Sequence, residues 1–436
     1  MGRKKILILI AVLGLVLSIN PVARENLAVV TDKLVPANVR LVNSSSSGTE
    51  FAIVEKNVGT FLHKWSIKGV SVAIAKDGRL VYAHGFGYAD TSGKAETQPF
   101  NKFRIASVSK LVTAIGIMKL KEQGKLSLDD KVFGPGGILN DPYFDNPKDK
   151  RVYDITVAHL LSHEGGWTPR YGDQMFMPTV IAEKMGVAGP VDLRTIIRFA
   201  LDKRLHFTPG AGRSYSNLGY SILGMVIEKV SGMNYEDYIR TAIFEPLGIY
   251  DMKIAGNLPT EKAPLEVTYY EPSDAPMKPS IYDHSVMCRS SYGGNDIRTL
   301  GAAGAWLATA PDLMRLMLAV DGKDTRPDIL STESIRFMTD SGNGYAPVGW
   351  KSTVDNGTWW RTGYFPGTTA MLKRQPDGYS WVVLCNSSAW NGPEVYSSIN
   401  NMMSKVIAQI DMWPDYDLFN LSLPVPLKTS IEAYPN

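Results

Sequence analysis

The chain has 436 residues, of which 44% are hydrophobic and 20% are charged, with a formal net charge of +3. This composition is typical of a globular protein and excludes a disordered or fibrous one. The small net charge, with no basic stripe interleaved with aromatic residues, argues against nucleic-acid binding. Two cysteines, Cys288 and Cys385, form no CxxC pair and argue against a cysteine-rich zinc site. The sequence is compatible with two free thiols and with a disulfide between Cys288 and Cys385.

Residues 1–23 are predicted to be an export signal, with an uncleaved membrane anchor as the alternative. Arg3, Lys4 and Lys5 precede an apolar run over 6–17 that is too short to cross a bilayer comfortably. We therefore expect an exported protein, periplasmic or in the cell envelope, with membrane attachment through the N-terminus as the alternative. Residues 24–50 end in NSSSSGTE and are expected to form a flexible spacer.

The first part of the body is predicted to be a hairpin followed by a helix. Two apolar runs flank Asp77-Gly78, which favours strands at about 70–76 and 79–86. Apolar residues recur at helical spacing from Ile105 to Gly124, and Gly124 suits the end of a helix.

Later elements show similar signals. Two helices are expected on either side of Ser231-Gly232, and another begins near Thr309, a candidate N-cap. A second hairpin turns at 375–378 and a last helix covers about 394–411, before an irregular, proline-rich tail at 413–436.

The arrangement of these elements predicts an α+β fold. Strands near both ends of the body, 51–412, are expected to join in one antiparallel sheet with flanking helices. The middle, about 126–294, is expected to form a mostly helical insert. A site is expected in the cleft between these two layers.

Ser107 and Lys110 are the first candidates for chemistry. They stand three residues apart in an apolar stretch, a spacing that brings side chains together on a helix. A serine hydroxyl needs a base to become a good nucleophile, and burial lowers the pKa of a lysine towards that role. The start of the helix also offers free N–H groups for an oxyanion.

Two further motifs follow in the chain. Tyr215-Ser216-Asn217 combines a phenol that can relay a proton with an amide that can hold a lysine or a substrate carbonyl. The simpler interpretation is a packed tyrosine and an N-cap at Asn217. Arg361-Thr362-Gly363 leads into a strand and offers a cation for a substrate carboxylate. Its alternative is an edge strand with a surface arginine.

These three motifs, in this order, resemble those of the serine β-lactamase and penicillin-binding-protein superfamily, and most closely its class C branch. That branch includes D-alanyl-D-alanine carboxypeptidases, D-aminopeptidases and esterases. Connecting segments such as ITVAHLLSHEGGW and IFEPLGIYDMKI are similar as well. The resemblance covers roughly Phe51 to Ile410.

The resemblance implies a role for each motif residue. Ser107 is expected to be the acylated nucleophile, with Lys110 and Tyr215 transferring its proton. Asn217 is expected to contact the substrate amide. The oxyanion hole is expected to use the N–H groups of Ser107 and Tyr364. No cofactor is implied.

One position departs from the family pattern. Arg361 replaces the usual lysine of Lys-Thr-Gly, or the histidine of His-x-Gly in peptidase and esterase relatives. It keeps the positive charge but cannot release a proton, so the Arg361-Thr362-Gly363 motif favours substrate binding over proton transfer.

The sequence therefore predicts an exported serine hydrolase that cleaves a peptide, amide or ester, with a cell-wall peptide as one candidate. The alternatives are a true class C-type β-lactamase and an inactive penicillin-binding sensor of the same fold. His159 and His163 have a zinc-like spacing, but they lack the glutamate of a metalloprotease motif and a third ligand. No metal site is predicted.

Loops 172–178 and 290–296 are candidates to border the cleft.

Overall fold

The structure is a computed structural model and describes residues 40–421. Its centre is a seven-stranded antiparallel sheet with the spatial order β3-β2-β1-β12-β11-β10-β9. The strands of this sheet are β1 (Gly69–Lys76), β2 (Arg79–Asp90), β3 (Ala95–Glu96), β9 (Ser352–Val354), β10 (Thr358–Phe365), β11 (Thr368–Arg374) and β12 (Tyr379–Cys385). Strand β1 pairs with β12, so strands from both ends of the body lie side by side, as predicted.

Five short strands form two smaller sheets: β4 (Phe103–Arg104), β8 (Trp306–Ala308) and β5 (Lys253–Ile254) in one, and β6 (Lys278–Pro279) and β7 (Met287–Cys288) in the other. The helices are α1 (Ala52–Trp65), α2 (Ser109–Glu122), α3 (Val157–Leu161), α4 (Pro178–Met185), α5 (Leu193–Leu201), α6 (Asn217–Ser231), α7 (Tyr235–Ile239), α8 (Ile297–Leu300), α9 (Ala310–Leu318), α10 (Thr332–Thr339) and α11 (Gly392–Gln409). The segment 126–294 consists mainly of helices and loops, and the predicted α+β class is confirmed.

The two faces of the large sheet bury different sets of residues. Alternate positions of β1 point to opposite faces, as strand geometry requires. Val70, Val72 and Ile74 pack with α1 and α11 in one core cluster, whereas Ala73 and Ala75 pack in the larger cluster that contains α2. Helix α9 packs against β1 and β12 on that second face, where the small side chains of β1 let it approach closely.

Several predicted elements match the structure. The hairpin at Asp77-Gly78 joins β1 to β2, and the second hairpin joins β11 to β12. Thr309 caps α9 by accepting a hydrogen bond from the N–H of Asp312. The last helix ends at Gln409, two residues before the predicted boundary.

The predicted spacer is wrong at its C-terminal end. Residues Asn43–Ser46 form a 3-10 turn that packs on β2, and the side chain of Asn43 bonds to the backbone of Gly85 and Thr97. These long-range bonds secure a serine-rich segment that has no hydrophobic pattern of its own. The start of the tail is also ordered, because Leu418 is buried.

The predicted export signal at 1–23 lies outside the described residues. Among residues 40–421, no helix is both long enough and apolar enough to span a bilayer. Cys288 and Cys385 are free thiols, one partly buried and one buried.

Candidate active site

Ser107 lies in a tight turn just before α2 and not on the helix itself, which corrects the prediction of one helix from Ile105. Residues Ala106–Val108 form a 3-10 turn, and α2 begins at Ser109. Ala106 has a φ of 45°, an uncommon conformation for a residue with a side chain. Strained backbone of this kind is concentrated at functional sites. The turn still brings the Ser107 hydroxyl to Lys110 on the first turn of α2.

Gly363 explains how the strand β10 can lie against this turn. A Cβ atom at Gly363 would be 2.1 Å from the carbonyl oxygen of Ile105 and 3.1 Å from the backbone nitrogen of Ser107. No residue with a side chain fits there without moving the backbone. Gly363 therefore acts through close packing, and it sets the distance between β10 and the turn that carries Ser107.

Lys110 is fully buried, and its three donor directions all meet acceptors. Its Nζ atom lies 2.6 Å from the carbonyl oxygen of Ala303, 2.7 Å from Oδ1 of Asn217 and 3.4 Å from Oγ of Ser107. Burial is the largest effect on this amine, and the nearby Arg361 adds to it, so that the pKa of Lys110 is lowered to about 8.

Tyr215 stands on the other side of Ser107. Its hydroxyl donates to Oγ of Ser107 at 2.8 Å and accepts from Nη2 of Arg361 at 3.3 Å. Desolvation opposes ionisation of this phenol, but the charges of Lys110 and Arg361 outweigh it and lower the pKa of Tyr215 to about 8.

Arg361 is buried and bonded to the site itself. Besides Tyr215, it donates to the carbonyl oxygens of Ser107 at 2.9 Å and Trp350 at 3.3 Å. Only 3% of its surface is exposed, so the alternative of a surface arginine is wrong. Its charge is directed at Tyr215, and its contact with a substrate carboxylate stays a prediction.

Asn217 connects Lys110 to a residue that the motifs did not single out. Its Nδ2 atom donates to Oδ2 of Asp173 at 2.7 Å, which directs its carbonyl oxygen to Lys110. The N-cap of α6 is Ser216, not Asn217, and Asn217 is the first helical residue. Loop 172–178 does reach the site, as the sequence suggested. Asp173 itself carried no signal beyond being an acidic residue in that loop.

His163 packs against the ring of Tyr215, with ring centroids 4.7 Å apart. Its Nδ1 atom accepts from the N–H of Ser216, and burial followed by the nearby cations lowers its pKa well below the usual value. His163 is therefore a neutral support for Tyr215. In residues 40–421, no group of three or more potential metal ligands occurs.

Two cavities meet at Ser107 and Tyr215. The apolar cavity has a volume of about 280 Å³, and Asn217, Phe176, Leu300, Phe365 and Pro366 are among its lining residues. The cationic cavity, of about 560 Å³, is lined among others by Arg213, Lys351, Arg361, Thr362 and Tyr396. No carboxylate occurs among the described residues that line the cationic cavity. Tyr364 borders both cavities.

Comparison with known proteins identifies the family of this chain. The beta-lactamase family model matches residues 54–400. The chain belongs to the beta-lactamase family. Penicillin-binding protein 4* of Bacillus subtilis is 35% identical over 188 residues, which cover 42% of this chain and 37% of that protein. Protein flp of Staphylococcus aureus is 30% identical over 209 residues, covering 48% of this chain and 38% of flp. The chain thus matches less than two fifths of the length of these curated relatives.

Solved structures agree with this assignment. A penicillin-binding protein homologue from Pyrococcus abyssi, described as octameric, superposes with a TM-score of 0.60 at 26% identity, covering 81% of this chain and 77% of that one. The D-amino acid amidase of Ochrobactrum anthropi SV3 gives a TM-score of 0.62 at 21% identity, with 83% and 99% covered. The superfamily predicted from the three motifs is confirmed.

Proposed function

We propose that this protein is a serine hydrolase that cleaves an amide, peptide or ester through an acyl-enzyme on Ser107. The observation that carries the proposal is the position of Oγ of Ser107, 2.8 Å from the hydroxyl of Tyr215 and 3.4 Å from Nζ of Lys110. A nucleophile between two groups whose pKa values are both lowered to about 8 has an activating base within reach.

The proposed reaction begins when Tyr215 is ionised and accepts the proton of Ser107. Oγ of Ser107 then attacks the carbonyl carbon, and the N–H groups of Ser107 and Tyr364 receive the oxyanion. As the tetrahedral intermediate collapses, the leaving nitrogen or oxygen takes the proton back from Tyr215. Lys110 exchanges protons with this pair through its contact with Oγ.

Deacylation repeats these steps with water as the nucleophile. Water adds to the acyl carbon and passes a proton to Tyr215, and Ser107 leaves with that proton. The charge of Arg361 supports each step in which Tyr215 carries a negative charge, and it remains on the guanidinium throughout because arginine does not deprotonate.

The two cavities favour a substrate that has an apolar group on one side of the scissile bond and a negatively charged group on the other. The apolar cavity fits an aliphatic or aromatic side chain, and the cationic cavity fits a group that carries a carboxylate. A peptide that ends in a free carboxylate has this form, and a cell-wall peptide is one example. Amides of apolar D-amino acids are a second substrate class to test, since a D-amino acid amidase shares the fold.

Active-site labelling tests the proposal. A fluorophosphonate probe should label the wild-type protein, and mass spectrometry should place the label on Ser107. The Ser107→Ala variant should lose labelling completely, together with the burst of p-nitrophenol from p-nitrophenyl acetate. Ser109→Ala is a matched control because Ser109 lies two residues away and its hydroxyl accepts a hydrogen bond from the N–H of Trp306 and not from Tyr215. Labelling that persists in Ser107→Ala would show that the nucleophile lies elsewhere.

A substrate panel then separates the alternatives. Peptides, amides and esters with an apolar acyl group should be compared with and without a carboxylate on the leaving group. Turnover of a chromogenic cephalosporin at a rate above that of all these substrates would favour a β-lactamase. Absence of any burst from a folded protein would favour a non-catalytic sensor.

A further inference from the structure

The peptide group between Gly363 and Tyr364 has a hydrogen-bond partner that the reaction above does not use. The hydroxyl of Tyr396, on α11, donates to the carbonyl oxygen of Gly363 at 2.7 Å. The N–H of the same peptide group belongs to Tyr364 and is the predicted second donor of the oxyanion hole. The Gly363–Tyr364 amide therefore links two groups. Its oxygen accepts from Tyr396, and its N–H faces the proposed oxyanion.

The sheet geometry directs this N–H towards the nucleophile. Pro366 and Gly367 form the two-residue turn that pairs Phe365 with Thr368. Residues that flank such a turn form a hydrogen-bonded pair, and the pattern alternates along the strand. The N–H of Tyr364 is therefore directed away from β11, towards the outer edge of β10.

That outer edge is the one that lies beside Ser107. Strand β9 pairs with β10 only at 358–360, so it does not cover Tyr364. The close approach of Gly363 to the backbone nitrogen of Ser107 places both N–H groups beside the same space. Tyr364 and Ser107 also both line the two cavities where a substrate carbonyl would lie.

A hydrogen bond to an amide oxygen acts on the amide N–H in two ways. It polarises the amide and makes the N–H a stronger donor, and it holds the peptide plane in one orientation. A carbonyl oxygen has two lone pairs, so Gly363 can accept from Tyr396 as well as from its ladder partner on β11.

The environment of Tyr396 keeps it available as a donor. Burial raises the pKa of Tyr396, with smaller effects from Cys385 and two other tyrosines. The nearby cations are Arg361, which opposes this shift, and Lys351, whose Nζ lies 5.8 Å from the ring centroid. The phenol therefore keeps its proton throughout the pH range in which Lys110 and Tyr215 titrate.

We propose that Tyr396 is a positioning residue that orients and polarises the Gly363–Tyr364 peptide for the oxyanion hole. The proposal rests on the proposed function, because it assumes an oxyanion formed by attack of Ser107. Tyr396 acts through the peptide and not by exchanging a proton with the substrate.

The Tyr396→Phe variant tests this role because it removes only the hydroxyl. Removal of a whole oxyanion donor costs about 10²- to 10³-fold in kcat, so weakening one donor should cost less, about 10-fold. We expect kcat for the best ester or amide substrate to fall by about this factor with KM nearly unchanged. The affinity for a boronic acid that forms a tetrahedral adduct with Ser107 should fall in parallel.

Two controls make the result specific. Tyr82→Phe removes a buried hydroxyl that has no hydrogen-bond partner, in the core cluster that also contains α11, and should leave kcat and boronate affinity unchanged. Site-specific incorporation of 3-fluorotyrosine at position 396 keeps the hydroxyl. It should restore kcat and the boronate affinity to within about twofold of wild type, because one hydrogen bond contributes little net free energy. This second variant remains informative if Tyr396→Phe folds poorly.

The outcomes separate this proposal from the proposed function. A change in KM alone, or an unchanged boronate affinity, would overturn the role of Tyr396 while leaving the nucleophile assignment intact. Failure of 3-fluorotyrosine to restore activity would also overturn it. Loss of labelling in Ser107→Ala tests the proposed function independently of position 396.

Discussion

Arg104 and Lys110 lie close together in the chain, and each belongs to a cluster that contains buried positive charge. The charge is compensated by a carboxylate in the first cluster and not in the second. Arg104 donates to the carbonyl oxygens of Ser291 and Gly256 and lies 3.8 Å from the buried carboxylate of Glu266. The ring of Tyr269 covers its guanidinium at 4.1 Å. In this cluster a buried positive charge is neutralised by a buried negative charge.

Lys110 and Arg361 are buried to a similar extent, but the acceptors around them are neutral. These acceptors are backbone carbonyls, the amide of Asn217 and the hydroxyls of Ser107 and Tyr215. Burial, with a smaller effect from Arg361, lowers the pKa of Lys110, and the charges of Lys110 and Arg361 lower the pKa of Tyr215. The comparison is consistent with a structural role for the first cluster and with the proton-transfer role that we propose for the second.

The largest effect on activity is expected from Lys110→Met. This change keeps an unbranched stem as far as Cε and removes the amine, so proton exchange with Ser107 is lost, and acylation should slow by about 10³-fold. The thermal unfolding midpoint should change little, because relief from burying a charge offsets the loss of the hydrogen bonds to Ala303 and Asn217. Acylation rates with a fluorophosphonate and a thermal melt measure the two quantities. Activity within tenfold of wild type would show that Lys110 is not part of the proton transfer.

Arg104→Met should produce the reverse pattern. It leaves Glu266 buried without its partner, which typically costs about 3–5 kcal/mol in the free energy of unfolding. The rate per active site should stay close to that of wild type, because Arg104 contacts none of the proposed catalytic residues. Urea unfolding and active-site titration provide the measurements. The double variant with Glu266→Gln should recover part of the lost stability; if it does not, the ion pair is not the cause.

Arg361→Gln should mainly move the pH dependence. Arg361 lowers the pKa of both Tyr215 and Lys110, so its removal raises both. If catalysis needs the ionised phenol or the neutral amine, the acid limb of kcat/KM moves to higher pH. Activity at pH 7 should drop by about 10-fold for each unit of this shift and recover at high pH. Arg361→Lys keeps a charge and should shift less. A loss that is equal at all pH values would contradict the electrostatic role.

The smallest effect is expected from Asp173→Asn, and its sign is informative. The charge of Asp173 raises the pKa of Lys110, so the variant should have a lower Lys110 pKa. If Lys110 controls the acid limb of the pH profile, that limb should move to lower pH. At the optimum, kcat should change by only about two- to threefold, because the asparagine can still accept the hydrogen bond from Asn217. A pH–rate profile for both proteins provides the test. A limb that stays in place would assign control to Tyr215.

Local patterns in the sequence were sufficient for much of the fold. Asp77-Gly78 between apolar runs specifies a tight hairpin, and Thr309 before an apolar helix specifies a cap, because both signals depend on neighbouring residues. The local pattern placed the start of the helix at Ile105, and this was wrong because the turn at Ala106–Val108 is held by the strand packed against it. It also missed the ordering of Asn43, whose partners Gly85 and Thr97 lie more than 40 positions away.

The sequence by itself determined the superfamily, the order of the three motifs and the pairing of Ser107 with Lys110, because those depend on spacing and residue type. Only the tertiary structure decided that Arg361 is directed at Tyr215, that Asp173 orients Asn217 and that Tyr396 bonds to the peptide of Gly363. These contacts join residues 33 to 146 positions apart. Contacts over such distances are fixed by how sheet and helices pack, and no local propensity encodes them.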